Sequence, residues 1–230
     1  MSSIRQDPVL TLNVAISLCG LFLVLILAFN APAIHEGFSW RKTLVGSVFS
    51  LICILGIFAS LFPGQCSETL HLREEGVGFT SHRTHDSSHH PDCREFSAHV
   101  VQIRSHRLCA ACTGLLIGAL IALVGTAFYF FMGGHIDEVG LWTVWTGAAG
   151  LILGFSQLRF RNLVRLLMNV FFVLGAFLLL VGTDYIVESL FADLFLTALI
   201  VLWISTRIQL SQWDHRRICS NCESPCGDQK

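Results

Sequence analysis

The chain has 230 residues, a formal net charge of −1, 53% hydrophobic residues and only 13% charged ones. Ordinary soluble domains carry about 25% charged residues, so this balance and a mean hydropathy of +0.63 read as a membrane protein. The near-neutral charge, with no basic patch on an amphipathic face, excludes nucleic acid as a partner.

A bilayer core of roughly 30 Å takes about 20 apolar residues per helix. Six stretches qualify: residues 9–29, 44–62, 113–132, 139–158, 163–181 and 189–206. The expected fold is an all-α polytopic membrane protein. Residues 1–62 hold two transmembrane helices, 63–112 a Cys/His-rich loop, 113–206 four more helices, and 207–230 a Cys-rich tail. The first stretch exceeds the about 7–15 apolar residues of a signal peptide. It therefore reads as a retained helix, with Ala31-Pro32-Ala33 imitating a cleavage site. The fourth and fifth spans are joined by Arg159-Phe160-Arg161-Asn162, the fifth and sixth by Gly182-Thr183-Asp184-Tyr185. Both connections are short and predict antiparallel neighbours.

Six spans place both termini on one side. Thirteen of the fifteen Lys and Arg residues fall on that side, in the N-terminus, the long loop, the Arg159–Arg165 turn and the tail. Only Arg41 and Lys42 fall opposite. Basic residues stay cytoplasmic, so both termini, the long loop and the tail are expected in the cytoplasm. The opposite connections, His135-Ile136-Asp137-Glu138 and residues 184–188, are acidic and carry no Lys or Arg.

Gly114-Leu-Leu-Ile-Gly118 and Gly150-Leu-Ile-Leu-Gly154 are GxxxG sequences, which let helix backbones approach closely in lipid. Asn169 and Asp193 are the polar groups deepest in the apolar runs.

The chemistry gathers in thiols and imidazoles. Seven of the ten histidines lie in the long loop: His71, His82, His85, His89, His90, His99 and His106. Of the nine cysteines, Cys19 and Cys53 fall inside the first two spans and read as small packing residues. The other seven, Cys66, Cys93, Cys109, Cys112, Cys219, Cys222 and Cys226, fall on the cytoplasmic side, where structural disulfides are disfavoured. Metal ligation or redox-active thiols remain. Cys109-Ala-Ala-Cys112 can chelate one ion through both thiolates. The pair stands at the start of the third span, where the helix dipole favours a thiolate. Cys93 lies 16 residues before Cys109, and Cys93, Cys109, Cys112 and one histidine would complete a tetrahedral Cys3His zinc site. His90 and His106 are the candidate fourth ligands.

The tail reads Cys219-Ser-Asn-Cys222-Glu-Ser-Pro-Cys226. Cys219 and Cys222 could join Cys109 and Cys112 in a zinc-ribbon-like site. Alternatively the tail trio, with His215 or Cys66, holds its own zinc or an iron–sulfur cluster. The spacing leaves both open.

Cys93-Arg94-Glu95-Phe96-Ser97 followed by Leu108-Cys109-Ala110-Ala111-Cys112-Thr113-Gly114 and the helix start to Gly118 resembles the DUF2085 family of small polytopic membrane proteins. That family shows a Cys-His element and then Cys-x-Arg-Cys-Thr-Gly leading into a helix. Here Arg94 stands where the family has histidine, and Ala111 where it has arginine. The resemblance spans only His90 to Gly118 and brings no activity with it. It implies that Cys93, Cys109 and Cys112 belong to one unit.

The leading expectation is an integral membrane protein with a cytoplasmic zinc site of structural or regulatory type, acting as an accessory component toward a protein partner in the membrane. A membrane-surface redox protein with an iron–sulfur or dithiol centre is the alternative. A metal-ion transporter needs paired acidic or imidazole ligands near the midplane, and in the sequence Asp193 stands alone. The chain carries no GxxxxGK[ST], GxSxG or HExxH motif. Glu95 near Cys93, the candidate for a general base, reads better as a surface charge.

Overall fold

The computed structural model describes residues 7–30, 40–61, 100–103, 106–134 and 140–221. Among these, six helices are long and apolar enough to cross a membrane. The chain is a multi-pass membrane protein by that measure. The helices are α1 (Pro8–Phe29), α2 (Arg41–Leu61), α3 (Ala110–Thr126), α4 (Gly140–Phe155), α5 (Asn162–Val187) and α6 (Leu190–Asn221). Just before α3, β1 (Val100–Ile103) and β2 (His106–Cys109) form an antiparallel hairpin in which Val100 faces Cys109 and Ile103 faces His106. The sequence reading missed the hairpin, although Val-Val-Gln-Ile has the β-branched content of a strand.

Helix α5 is the most enclosed element, and α4 packs on it along most of its length. Glycine makes that approach possible. A Cβ on Gly175 of α5 would lie 2.7 Å from the Gly147 carbonyl oxygen and 2.7 Å from the Leu151 amide of α4, so the two backbones touch. Gly150 likewise meets the Phe171 carbonyl. In lipid, where apolar side chains gain nothing from meeting one another rather than acyl chains, such close packing is what holds helices together. Gly118, of the other GxxxG sequence, seats α3 against Val170 and Val173 of α5. The centre is filled by Trp203, Phe49, Phe172, Leu151 and Leu179, all essentially inaccessible. Val9, Phe22, Leu51, Phe58, Val124, Phe128, Trp142 and Phe191 point outward and make the lipid-facing belt.

Helix α1 is fastened to α6 by polar contacts within the apolar layer. The Ser17 and Thr206 hydroxyls lie 2.9 Å apart, and Trp203 Nε1 donates to the Ser17 carbonyl at 3.0 Å. Cys53 is buried as a packing residue, whereas Cys19 is exposed on the lipid-facing side.

Several expected boundaries move. Gly182-Thr183-Asp184-Tyr185 is not a turn: α5 runs on to Val187, and the reversal falls at Glu188, which takes a left-handed φ of 50° while its N–H caps the Asp184 carbonyl. Thr183 and Asp184 are fully buried within the helix. Helix α6 continues past Thr206 to Asn221, because Leu210 and Trp213 still bury themselves, packing against Leu10 of α1. Arg165 and Arg207, counted above among turn and tail charges, are instead buried in α5 and α6. Helix α3 ends in a π-helical turn, Ala127–Phe131, which sets Tyr129 and Phe130 inward. Such turns are local rearrangements often found at functional positions.

Candidate functional site

The first of two buried polar clusters lies at the Cys109 end of the bundle. Cys109 closes β2 and is the N-cap of α3, with extended φ/ψ of −65° and 116°. Cys112 stands in the first turn. Both are half-buried. Two residues on, Gly114 crosses α5. A Cβ there would collide with the Leu166 carbonyl oxygen and come within 2.8 Å of the Asn169 Cβ. Gly114 thus lets the first turn of α3 lie directly on α5, and Ala110 is fully buried beside Leu166 and Val170.

That seat brings the thiols to a pair of arginines. Arg207 of α6 is 4% exposed. Its Nε donates to Asn169 Oδ1 at 2.8 Å, its Nη2 reaches the same oxygen, and Nη2 lies 3.5 Å from Gln157 Oε1. Asn169 is held in that orientation by its own Nδ2, which donates to the Arg165 carbonyl at 2.7 Å. Arg165 pairs with Asp214 of α6 at 3.2 Å. No carboxylate pairs with Arg207 among the described residues. The groups able to carry negative charge near it are Cys112 and Cys109, both close enough for electrostatic interaction with the guanidinium. A buried charge is costly unless compensated.

Among the predicted ligands, the fold brings Cys109 and Cys112 together. The strand register puts His106 at the opposite end of the hairpin from Cys109, about 10 Å away at the usual rise per residue. Cys219 lies on α6 twelve residues beyond Arg207, about 18 Å along the helix axis. Cys93, His90, Cys222 and Cys226 lie outside the described residues, as do Cys66 and most of the loop histidines. Among the described residues no three Cys, His, Asp or Glu side chains gather as a metal set.

The second cluster sits at the other end, and the sequence reading missed it. Arg41, the first residue of α2, is buried and sends Nη1 to Asp184 Oδ1 of α5 at 2.8 Å and to Asp193 Oδ2 of α6 at 2.5 Å. Tyr129, from the π turn of α3, donates its hydroxyl to Asp184 Oδ2 at 2.8 Å. The Lys42 ammonium is 3.9 Å from that oxygen and 4.7 Å from the Tyr129 ring centre. Asp193 therefore does not stand alone: it shares one guanidinium with a second carboxylate. Ionisable groups inside a membrane bundle are rare and mark functional sites more often than they mark packing. No family model matches this chain, and no curated protein or solved structure is similar to it.

Proposed function

We propose that this protein binds a soft metal ion, zinc, at the Cys109 rim of its helical bundle, and that the ion orders the Cys/His-rich loop into a surface for a partner protein in the membrane. One observation carries the reading. Among the described residues, buried Arg207 is hydrogen-bonded to the side-chain amides of Asn169 and Gln157 and to no carboxylate, a charge that thiolate forms of Cys112 and Cys109 would match, and thiolates are the forms that bind metal. The hairpin register adds a route to completion. Val100 lies beside Cys109, so the chain entering β1 starts next to the thiols. Cys93 is seven residues upstream of Val100, a tether of at most about 25 Å. Since His106 sits at the far end of the hairpin, His90 is the preferred fourth ligand. Four protein ligands make the site closed, hence structural or regulatory. The resemblance of residues 90–118 to the DUF2085 family groups the same three cysteines. The excess of basic residues on this side supports a cytoplasmic position for this rim and both termini.

Elemental analysis of the purified protein, with an absorption spectrum, tests the reading. We expect close to one zinc per chain and no visible chromophore. Cys109→Ser and Cys112→Ser are each expected to lower bound zinc by at least about tenfold, since either removes a direct ligand. Unchanged zinc in both variants removes the pair as ligands. A second reading, a redox-active dithiol, is favoured by the N-cap position of Cys109 beside two arginines, where thiolates are stabilised. It predicts no metal and a Cys109–Cys112 disulfide that forms and is reduced reversibly.

A further inference from the structure

The cluster at the opposite end carries an inference independent of the thiols. We propose that Asp184 and Asp193 form a proton-binding site, holding a single proton between their carboxyl groups at neutral pH.

Charge and hydrogen-bond accounting lead there. Two carboxylates, both fully buried, face one buried cation, and they share a single nitrogen of it. The second cation, Lys42, is 39% exposed and stands 3.9 Å away. The two carboxyl groups converge on that one nitrogen, Arg41 Nη1, at 2.8 and 2.5 Å. Were both ionised, two anions would touch in a medium of low dielectric, the situation in which paired carboxylates instead keep one proton between them. The unsatisfied atoms agree. Asp184 Oδ1 and Asp193 Oδ1 are each buried without a hydrogen-bond donor, the Arg41 contact to Asp184 Oδ1 being an ion pair outside hydrogen-bond geometry. A buried oxygen left so is costly, and one proton on either carboxyl supplies the missing donor.

Two neighbouring hydroxyls among the described residues are already committed. Tyr129 spends its hydroxyl on Asp184 Oδ2, and the Thr197 hydroxyl donates to the Asp193 carbonyl. Among the described residues, the charged and titratable groups that meet the pair are Arg41 and Lys42 of α2 and Tyr129 of α3. The Lys42 side chain, 39% exposed, is the least enclosed member of the cluster and marks the side from which a proton would exchange. The bound proton joins α5 to α6, and Arg41 joins both to α2.

Infrared spectroscopy of the full chain in lipid nanodiscs at pH 7 tests this. The expected result is a C=O stretch of a protonated carboxyl that moves to lower frequency in D2O. It should vanish in Asp193→Asn and in Asp184→Asn, because each leaves a single carboxylate fully matched by Arg41. It should persist in Asp7→Asn, at the other end of the bundle. Absence of the band from the unaltered protein overturns the proposal whether or not the variants fold. A band that survives both substitutions overturns it as well.

Discussion

The two ends of the bundle are built from the same two helices, α5 and α6, yet their charge balance is opposite. At the α2 end, two buried carboxylates face one buried guanidinium. At the Cys109 end, among the described residues, two buried guanidiniums face the carboxylate of Asp214. Among the described residues, each end buries more charge of one sign than of the other, and the groups that can balance it differ in kind. A proton neutralises the surplus carboxylate. Thiolates would answer the surplus arginine, and with them would come the metal or redox chemistry proposed above. The difference teaches that a buried ion pair is best read by what it leaves unmatched.

Removing the cation at each end separates these cases, and Arg41→Leu should have the largest effect. It leaves Asp184 and Asp193 without a buried counter-charge. Breaking one side of a buried pair costs about 3–5 kcal/mol, even with one proton retained. Denaturant or thermal unfolding in detergent should show a loss of that size, and a loss below about 1 kcal/mol would mean that water already screens the cluster.

Arg207→Met should behave differently. It strands only the Asn169 and Gln157 amides, since the thiols can protonate once the guanidinium is gone. Unsatisfied neutral groups cost about 1–3 kcal/mol. The larger change is expected in chemistry: bound zinc should fall by about 10–100-fold, the range for loss of a supporting group around metal ligands. Alkylation of Cys109 and Cys112 at neutral pH should slow with it. If stability falls and both readouts stay put, Arg207 is a packing residue and the two ends are not chemical counterparts.

The six spans were legible because uninterrupted apolar runs of this length have few other uses. The GxxxG glycines were legible for a related reason, since close approach in lipid demands small residues. The charged clusters were not. Arg41 looked like a loop charge at the start of a span, and Arg207 looked like the end of one. Asp184 stood in a polar tetrad that imitates a turn, yet its carboxylate meets Arg41 and Tyr129, both far away in sequence. Arg41 and Asp193 meet across 152 positions; Arg207 and Asn169 meet across 38. A burial that depends on such pairing cannot be seen in a local window. Of the candidate metal ligands, the Cys109–Cys112 pair was legible from its spacing. The arginines behind it were missed because positive charge near a span end is ordinarily a topology signal.

The smallest of the expected effects sharpens the comparison most. Tyr129→Phe deletes one hydroxyl and keeps the ring, so the Lys42 contact with the aromatic face survives. Only the hydrogen bond to Asp184 Oδ2 is lost. Bonds to a charged acceptor are worth about 1.5–3 kcal/mol, and the exposed Lys42 can recover part of that by moving closer. The loss should therefore fall near the lower figure. The direction of a second change is set by which oxygen Tyr129 serves. Donation to Asp184 Oδ2 favours negative charge on Asp184, and so leaves the shared proton with Asp193. Without the hydroxyl that preference weakens and the proton is shared more evenly. The carboxyl C=O stretch should then shift or broaden in Tyr129→Phe without disappearing. A band unchanged in position and width would place the proton beyond the reach of Asp184, and the carboxylate end would lose its claim to a shared site.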